Sequence, residues 1–416
     1  MTQTKEANNA ANMSTVYLLT LVPFIMVLGN SMLIPVLPAI QKSLHINLLQ
    51  AGLLITAFSI PAGITIPLAG LLSDHIGRKT VMAPALLIYG TGGILAGLAA
   101  IFLAKPYPCI LGARILQGIG AGGTYQLAMA LVGDLIQGKQ RAQALGLLEA
   151  ANGLGKVISP LAGAAVALIA WYIPFFVYGI LALPIAAVVW FLVKEPDNKK
   201  KAQSTMEYLK GLKEVWTQKG TALLGAFFAG TVALFSLFGL LSFLSDQLEQ
   251  ARFQVFQRGL LIAIPVLFMA ITAFILGTVL KQYLAKILKT TAIIGLAAIA
   301  AALASYFLLH STLLRLIAAT VLGIGAGLVL PSLNTLITSA AGAGERGLVT
   351  CLYGTVRFFG VAIGPPVFGL SDRLGASTLF LSTAGLAALA AFLAWTLIKV
   401  QQVLPPEMAG KTNTRQ

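Results

Sequence analysis

Long apolar segments alternate along the chain with short connections that are polar or marked by glycine and proline. Most segments contain 20 or more residues, enough for one helix to cross the hydrocarbon core of a bilayer, which is about 30 Å thick. The pattern predicts an all-α membrane protein with twelve transmembrane helices, called spans 1 to 12, at about 16–40, 48–72, 80–104, 108–136, 142–168, 171–193, 221–245, 257–281, 289–309, 312–340, 346–371 and 376–399.

The long hydrophilic stretch 194–220 divides these spans into six and six. The expected parts, in chain order, are a cytoplasmic tail (1–15), a six-helix bundle (16–193), a cytoplasmic central loop (194–220), a second six-helix bundle (221–400) and a second cytoplasmic tail (401–416). No basic region followed by a short apolar core opens the chain, so no removable signal peptide is expected. The central loop is expected to hold a short amphipathic helix on the membrane surface around 206–216.

Composition narrows the class of protein. Of the 416 residues, 58% are apolar and 10% are charged, whereas a typical soluble chain has about 25% charged residues. These values exclude a soluble enzyme, a disordered protein and a disulfide scaffold. Cys109 and Cys351 lie at the start of one apolar segment and inside another, where cysteine serves as a small apolar residue.

The net charge of +15 would suggest a nucleic-acid partner in a soluble protein. In this chain the charges follow the connections instead. With the N-terminus inside, 19 of the 28 Lys and Arg residues fall on the inner side and five in outer connections. This positive-inside bias predicts a multi-pass plasma-membrane protein with both termini in the cytoplasm and no nucleic-acid partner.

An internal repeat appears at a constant offset of 205 residues. The pentapeptide Gly-Ile-Gly-Ala-Gly occurs at Gly118–Gly122 and again at Gly323–Gly327. The same offset relates Arg141 to Arg346, Gly155 to Gly360, and Ser159-Pro160 to Gly364-Pro365, whereas Gly163 maps onto Phe368 and breaks the match. The matches predict two parallel six-helix repeats, an arrangement whose substrate site lies between the halves near the middle of the membrane.

The connection after span 2 reads Gly70-Leu-Leu-Ser-Asp74-His-Ile-Gly77-Arg78-Lys79. Its glycines allow a tight reversal between helices, and Asp74 favours the positive end of a neighbouring helix. Arg78 can form a bidentate pair with a carboxylate, for which Asp134 at the inner end of span 4 is the nearest candidate. On charge alone, the favoured interpretation is a polar turn that only carries positive-inside charges.

This connection resembles the signature loop of the major facilitator superfamily. Two further segments support the resemblance: Arg114–Gly122 is similar to the span 4 motif of that superfamily, and Gly155–Gly163 resembles the span 5 motif of its twelve-span drug:proton antiporters. Ser159 replaces a glycine of the span 5 motif, while Gly360, Gly364 and Pro365 in span 11 keep the pattern better.

The resemblance implies the major facilitator fold and a role for each motif. Asp74 and Arg78, with Asp134 as partner, would latch the cytoplasmic side of the outward-facing state. Arg114 would assist proton movement or organise the site in span 4. Gly155, Pro160 and Gly163, with their span 11 counterparts, would shape close helix packing, which small residues permit in lipid.

Ionisable residues inside predicted spans are functional candidates, because each costs about 2.5–3.5 kcal/mol to insert. Arg114, Glu149, Lys156 and Arg357 are the four that stand out. Glu149 and Lys156 are two helical turns apart and share a face with Asn152. The working hypothesis makes Glu149 the proton carrier in a dehydrated cavity, with Arg114 assisting; the alternative is a structural ion pair of Glu149 with Arg114 or Lys156.

Three cations against one acid predict a cavity that prefers anionic or acidic amphipathic substrates, including siderophore-like acids, metabolites and drugs. Span 1 supplies neutral Asn30 where many multidrug-cation relatives place an acid. The predicted cavity residues are Lys156, Asn152, Arg357, Asn30, Gln126, Tyr125 and Asn334.

Two transport functions therefore compete: a secondary exporter driven by the proton gradient, and an importer or uniporter of a small organic solute. A lipid flippase or membrane-embedded enzyme is a distant third. The sequence has no phosphate-binding glycine motif, and its three histidines lie apart at connections. We expect no enzymatic activity, cofactor or metal, and a monomer whose partners are its substrate, protons and the bilayer.

Overall fold

The computed structural model describes residues 13–136, 139–193, 195, 205–279, 286–340 and 346–399, and these contain helices but no strands. The predicted tail residues 1–12 and 401–416, together with residues 194 and 196–204 of the predicted central loop, lie outside the described residues. The helices are α1 (13–19), α2 (Leu21–Ser31), α3 (Leu37–Leu44), α4 (Leu48–Ile76), α5 (Arg78–Phe102), α6 (Tyr107–Gly122), α7 (Tyr125–Leu135), α8 (Lys139–Val166), α9 (Ile173–Leu192), α10 (Thr205–Gln250), α11 (Val255–Val279), α12 (Lys286–Tyr306), α13 (Thr312–Ala340), α14 (Arg346–Phe368), α15 (Ser371–Leu374) and α16 (Ala376–Leu397).

Ten helical segments of the described chain are long and apolar enough to cross a membrane. They correspond to the predicted spans except spans 4 and 5. Span 4 is interrupted at Gly123 and Thr124, whose N–H groups donate three residues back, so that α6 and α7 are each too short by themselves. Span 5 corresponds to α8, a 28-residue helix that carries Glu149 and Lys156 and is therefore less apolar.

The predicted surface helix at 206–216 and predicted span 7 form one element. Helix α10 runs without interruption for 46 residues, from Thr205 to Gln250. Its apolar part begins at Trp216. No proline occurs within it, so nothing in the sequence breaks the hydrogen-bond ladder between the polar and apolar parts.

The chain divides into two compact units. Unit 1 contains Met1–Ile46, Leu53–Ser204 and Phe253–Leu260, and unit 2 contains Asn47–Gly52, Thr205–Arg252 and Leu261–Gln416. In unit 1, α5 packs against α6 and α9, and α2 packs against α8. In unit 2, α10 packs against α14, and α12 packs against α13 and α16.

The two copies of Gly-Ile-Gly-Ala-Gly pack in the same way within their own units. A Cβ at Gly118 would stand 2.1 Å from the carbonyl oxygen of Phe58 on α4, and a Cβ at Gly323 would stand 2.2 Å from that of Pro265 on α11. Both distances are far below van der Waals contact, so each glycine permits a helix crossing that any side chain would obstruct.

Candidate functional site

The connection between α4 and α5 brings its charged residues together around Arg78. The guanidinium of Arg78 contacts Asp74 (Nη2 to Oδ1, 2.5 Å) and Asp134 on α7 (Nε to Oδ2, 3.5 Å). It also donates a 2.7 Å hydrogen bond from Nη1 to Ser73 Oγ. The two carboxylates that the sequence pairs with Arg78 thus both lie within reach of one side chain.

Glycine permits the sharp reversal that places these groups. Gly77 has a φ of 105°, a left-handed conformation that L side chains rarely adopt. Its N–H donates to Ser73 O at 3.0 Å, which closes α4, and α5 begins at the next residue. Gly70 O, one turn earlier, accepts a 2.7 Å hydrogen bond from Ser73 Oγ.

Glu195 is a residue of this site that was not predicted from the sequence. Its carboxylate accepts hydrogen bonds from the backbone N–H groups of Arg78 (2.5 Å) and Lys79 (3.2 Å), the first two residues of α5. Lys79 Nζ in turn donates to Val193 O at 3.1 Å and lies 5.9 Å from the ring centroid of Trp190. Glu195 lies two residues beyond an apolar span, in the hydrophilic central loop, so the local sequence gives no signal for this contact.

Arg114 is completely buried, at 0% exposure. Its guanidinium also lies over the ring of Phe58, with Cζ 4.5 Å from the centroid. The four acceptors of its hydrogen bonds come from α2, α4 and α6 and are Leu54 O (3.0 Å), Gly29 O (2.8 Å), Gln117 Oε1 (2.6 Å) and Asn30 Oδ1 (2.5 Å). This buried cation is satisfied by neutral oxygens and an aromatic ring.

This network bears on two predictions: the ion pair between Arg114 and Glu149, and the position of Asn30 on the substrate cavity. Within the described residues no ion pair joins Arg114 to Glu149, so that form of the structural ion pair is wrong for this structure. Asn30 is 6% exposed, accepts from Arg114 and donates through Nδ2 to Ser59 Oγ at 2.8 Å. Both ends of its amide are therefore engaged inside unit 1, whereas its position in span 1 predicted a place on the substrate cavity.

Glu149 and Tyr125, both predicted site residues, meet between α7 and α8. Tyr125 Oη donates a 2.5 Å hydrogen bond to Glu149 Oε1. Glu149 is exposed in this structure, whereas the sequence predicted a dehydrated carboxylate. Asn152, one turn along α8, is buried at 5% exposure, so the polar face of α8 does not share one environment.

The remaining predicted cavity residues are partly exposed: Lys156, Gln126, Asn334 and Arg357. In unit 2, Arg357 Cζ lies 5.3 Å from the ring centroid of Tyr353, one turn earlier on α14. Its Nε is buried and makes no hydrogen bond to any residue that the structure describes. Asn334 O accepts a 2.7 Å hydrogen bond from Thr338 Oγ1 in the last turns of α13.

The small residues of span 5 lie at helix contacts. A Cβ at Gly155 would stand 3.2 Å from Phe24 O, and one at Gly163 would stand 2.2 Å from Met32 O, so α8 packs closely on the first span. The carbonyl oxygen of the neighbouring Pro160 lies 2.8 Å from a Cβ built at Gly259, which also belongs to unit 1.

In unit 2, α14 packs on α10 in the corresponding manner. A Cβ at Gly360 would stand 2.3 Å from Thr231 O, and one at Gly364 would stand 2.5 Å from Phe235 O. Pro365 O accepts the N–H of Gly369 at 2.9 Å, just beyond the end of the helix.

Comparison with known proteins agrees with this architecture. A bacillibactin exporter of Bacillus subtilis (strain 168) is 38% identical over 359 residues, 86% of this chain and 89% of that protein. The multidrug efflux protein YfmO of the same strain is 29% identical over 362 residues, 84% of this chain and 85% of that protein.

Two solved structures share the fold. The human organic anion transporter MFSD10 (TETRAN) matches 92% of this chain and 99% of its own with a TM-score of 0.69 and 20% identity. A bacterial homologue of the human lysosomal transporter Spinster matches 95% and 98% with a TM-score of 0.73 and 16% identity.

The sequence profile described as Major Facilitator Superfamily matches residues 19–365. With the relatives and the membrane-length helices, this match identifies a multi-pass membrane transporter and excludes an enzyme. The chain therefore belongs to the Major Facilitator Superfamily.

Proposed function

We propose that this transporter exports a small amphipathic organic compound, anionic in preference and siderophore-like in type, in exchange for protons across the plasma membrane. The observation that carries the proposal is the 38% identity to a bacillibactin exporter over 86% of the chain. The fold alone does not define a substrate. The alternative is an importer or uniporter of a small organic solute.

We infer a twelve-span architecture of two parallel six-helix repeats that works by alternating access, with both termini in the cytoplasm. The matched packing of Gly118 and Gly323 supports a duplicated unit. The helical character of the regions predicted as spans 4 and 5 supports the count of twelve. The positive-inside bias supports the orientation.

Glu149 is the proposed proton carrier. It is a carboxylate ten residues inside α8, and its hydrogen bond from Tyr125 links it to α7. The carboxylate is not enclosed by the described helices, as a group that takes up and releases protons requires. Arg114 fits the organising role, because its fully buried guanidinium binds three helices together and has no exposed surface.

The preference for anions is proposed from Lys156 and Arg357, with Arg114 removed from the count because its donors are engaged by protein oxygens. Arg357 supports the proposal most directly, since it is partly exposed and its guanidinium lies beside the ring of Tyr353. A guanidinium can pair with a carboxylate or phenolate of a substrate.

The driving force can be tested with protein reconstituted in liposomes and bacillibactin as the probe. A pH gradient is expected to drive uphill transport by the wild type. Glu149→Gln should abolish gradient-driven transport but keep the exchange of labelled for unlabelled substrate, because the carrier conformations remain accessible. Asp372→Asn, which changes an exposed acid in unit 2, serves as the matched control and should behave as wild type.

Three results would overturn the proposal or a part of it. Gradient-driven transport that survives Glu149→Gln would refute the carrier assignment. Wild-type transport that only equilibrates the probe, whatever the pH gradient, would favour the uniporter. Net accumulation inside cells, and loss of that accumulation on gene deletion, would favour the importer.

Substrate charge can be tested with an anionic and a cationic fluorescent amphiphile of similar size. Lys156→Gln and Arg357→Gln should each reduce transport of the anionic probe more strongly than transport of the cationic one. Equal losses for both probes would indicate a structural role for these cations. Profiling of exported compounds after gene deletion would identify the substrate itself.

A further inference from the structure

The first turn of α5 and the last turn of α9 exchange caps. Glu195, just after α9, supplies both carboxylate oxygens to the first two N–H groups of α5. Lys79, in the first turn of α5, supplies its ammonium to Val193 O at the end of α9. Each contact satisfies a backbone group that has no partner within its own helix. Each contact also suits the helix dipole, because the carboxylate of Glu195 lies at the N-terminus of α5 and the ammonium of Lys79 lies at the C-terminus of α9.

The dipeptide Arg78-Lys79 is therefore held by three carboxylates in two different ways. Asp74 and Asp134 contact the side chain of Arg78, and Glu195 binds the backbone of both residues. The turn leaves room for nothing larger: a Cβ at Gly77 would stand 2.8 Å from Glu195 Oε2. The backbone from which the Arg78 side chain extends is thus bound by Glu195.

We propose that Glu195 is a positioning residue of the cytoplasmic latch, acting by fixing the backbone from which Arg78 reaches Asp74 and Asp134. It binds the backbone of Arg78, and among the described contacts none joins it to the Arg78 side chain. The transport consequence rests on the proposed function, transport by alternating access, and on the predicted role of Asp74, Arg78 and Asp134 as the latch of the cytoplasmic side. The structural consequence, ordering of the turn, is independent of any substrate.

The ordering of the turn can be tested by amide hydrogen exchange in the full-length protein in lipid nanodiscs. The first N–H groups of a helix usually exchange fast because they lack helical acceptors. Protection at Arg78 and Lys79 therefore reports Glu195. Glu195→Ala should raise exchange at both amides at least about tenfold, since a hydrogen bond to a charged group is lost at each. Exchange in Glu195→Gln, which keeps one acceptor oxygen, should lie between the rates of the wild type and of Glu195→Ala. Asp372→Asn should exchange at the wild-type rate.

Coupling to the latch is tested by a double-mutant cycle on thermal unfolding with Glu195→Gln and Asp134→Asn. If Glu195 positions Arg78 for Asp134, the second substitution should shift the melting temperature less when the first is present. Additive shifts would overturn the positioning role. Unchanged exchange at Arg78 and Lys79 in Glu195→Ala would overturn the proposal as a whole. If Glu195→Ala does not fold, Glu195→Gln carries the test, and unchanged exchange at both amides in that variant would contradict the proposal.

The transport arm separates this proposal from the proposed function. Glu195→Gln should lower the maximal transport rate several-fold without changing the substrate concentration at half-maximal rate. In an Arg78→Ala background it should cause no further loss. A further loss there would show that Glu195 acts elsewhere. If wild-type protein does not transport the probe, the proposed function fails while the exchange and unfolding results still decide the role of Glu195.

Discussion

The ring of Phe368 lies directly on Gly239: a Cβ at Gly239 would stand 2.3 Å from the ring atom Cδ2. Phe368 is fully buried at the end of α14, and Gly239 lies on α10. Other rings surround that of Phe368, namely those of Phe235, Phe243 and Phe380, with centroids 5.9, 6.5 and 5.6 Å away. These neighbours restrict movement of the Phe368 ring away from Gly239.

In unit 1 the corresponding contact has the small residue on the other helix. There Gly163 on α8 is the small residue, and a Cβ on it would stand 2.2 Å from the carbonyl oxygen of Met32. Phe368 follows Gly163 by 205 residues and Gly239 follows Met32 by 207. The same two offsets relate the contact of Gly360 with Thr231 to that of Gly155 with Phe24. The apparent break in the repeat at Phe368 is thus an exchange of the large and small residue across one helix contact.

Gly239→Ala should destabilise the protein by about 1–3 kcal/mol, because the added methyl overlaps a ring that its neighbours hold in place. Gly385→Ala on α16 is the matched control, since nothing lies within 4 Å of a Cβ there. The control should be neutral or slightly stabilising, as alanine is the better helix former. Thermal unfolding in detergent measures both, and equal melting temperatures for the two variants would contradict the packing argument.

Gly163→Ala should be similarly costly, and a control exists on the same helix. A Cβ at Gly153 on α8 has no neighbour within 4 Å, so Gly153→Ala should keep wild-type stability. The contact at Gly163 is with main chain, which cannot rotate away as a side chain does. We expect a loss of about 1–3 kcal/mol, checked by thermal unfolding of both variants. A stable Gly163→Ala protein would show that α8 can shift along the first span.

Asn30→Leu should destabilise unit 1 more than Asn30→Asp. Leucine removes the acceptor of an Arg114 donor and the partner of Ser59, and losing a hydrogen bond to a buried charge costs about 1.5–3 kcal/mol. Aspartate keeps the acceptor and adds an opposite charge, and Ser59 can reverse its role and donate. Expression level and thermal unfolding test the order. A leucine variant as stable as the aspartate variant would show that the Arg114 network adapts to the loss.

Substitutions in the latch should reduce transport in a definite order. Arg78→Ala removes all its contacts and should cause the largest loss. Asp74→Asn should follow and Asp134→Asn should cost least, since the Arg78 contacts measure 2.5 Å to Asp74 and 3.5 Å to Asp134. Because these groups are partly exposed, the differences should narrow at high salt. Initial transport rates at two ionic strengths provide the measurement, and a larger loss for Asp134→Asn would reverse the assigned importance of the two acids.

Helix positions were predictable from the apolar segments, because about 20 apolar residues have few alternatives to a membrane helix. The ends of the helices and their continuity were harder to predict from the sequence. The break at Gly123 depends on local backbone geometry, and the single helix α10 crosses a change in composition that resembles a boundary. The Arg78 cluster was largely predictable, since Asp74 is one helical turn away and Asp134 closes a neighbouring helix.

The surroundings of individual side chains were not predictable. Arg114 carries a full charge, and its position in a span suggests a cavity, yet carbonyl and amide oxygens from three helices enclose it. Glu195 gains its role only when the end of α9 meets the start of α5, 117 residues earlier in the chain. Such contacts depend on which faces pack together, and one sequence does not define that.

The length of α10 has a mechanical consequence. At 1.5 Å per residue, its 46 residues extend about 69 Å, more than twice the hydrocarbon thickness of a bilayer. A rigid rod of that length acts as a lever: a tilt of about 10° about one end moves the other by about 12 Å. A probe attached near Thr205 would therefore amplify small reorientations near Gln250 into displacements that distance measurements resolve easily.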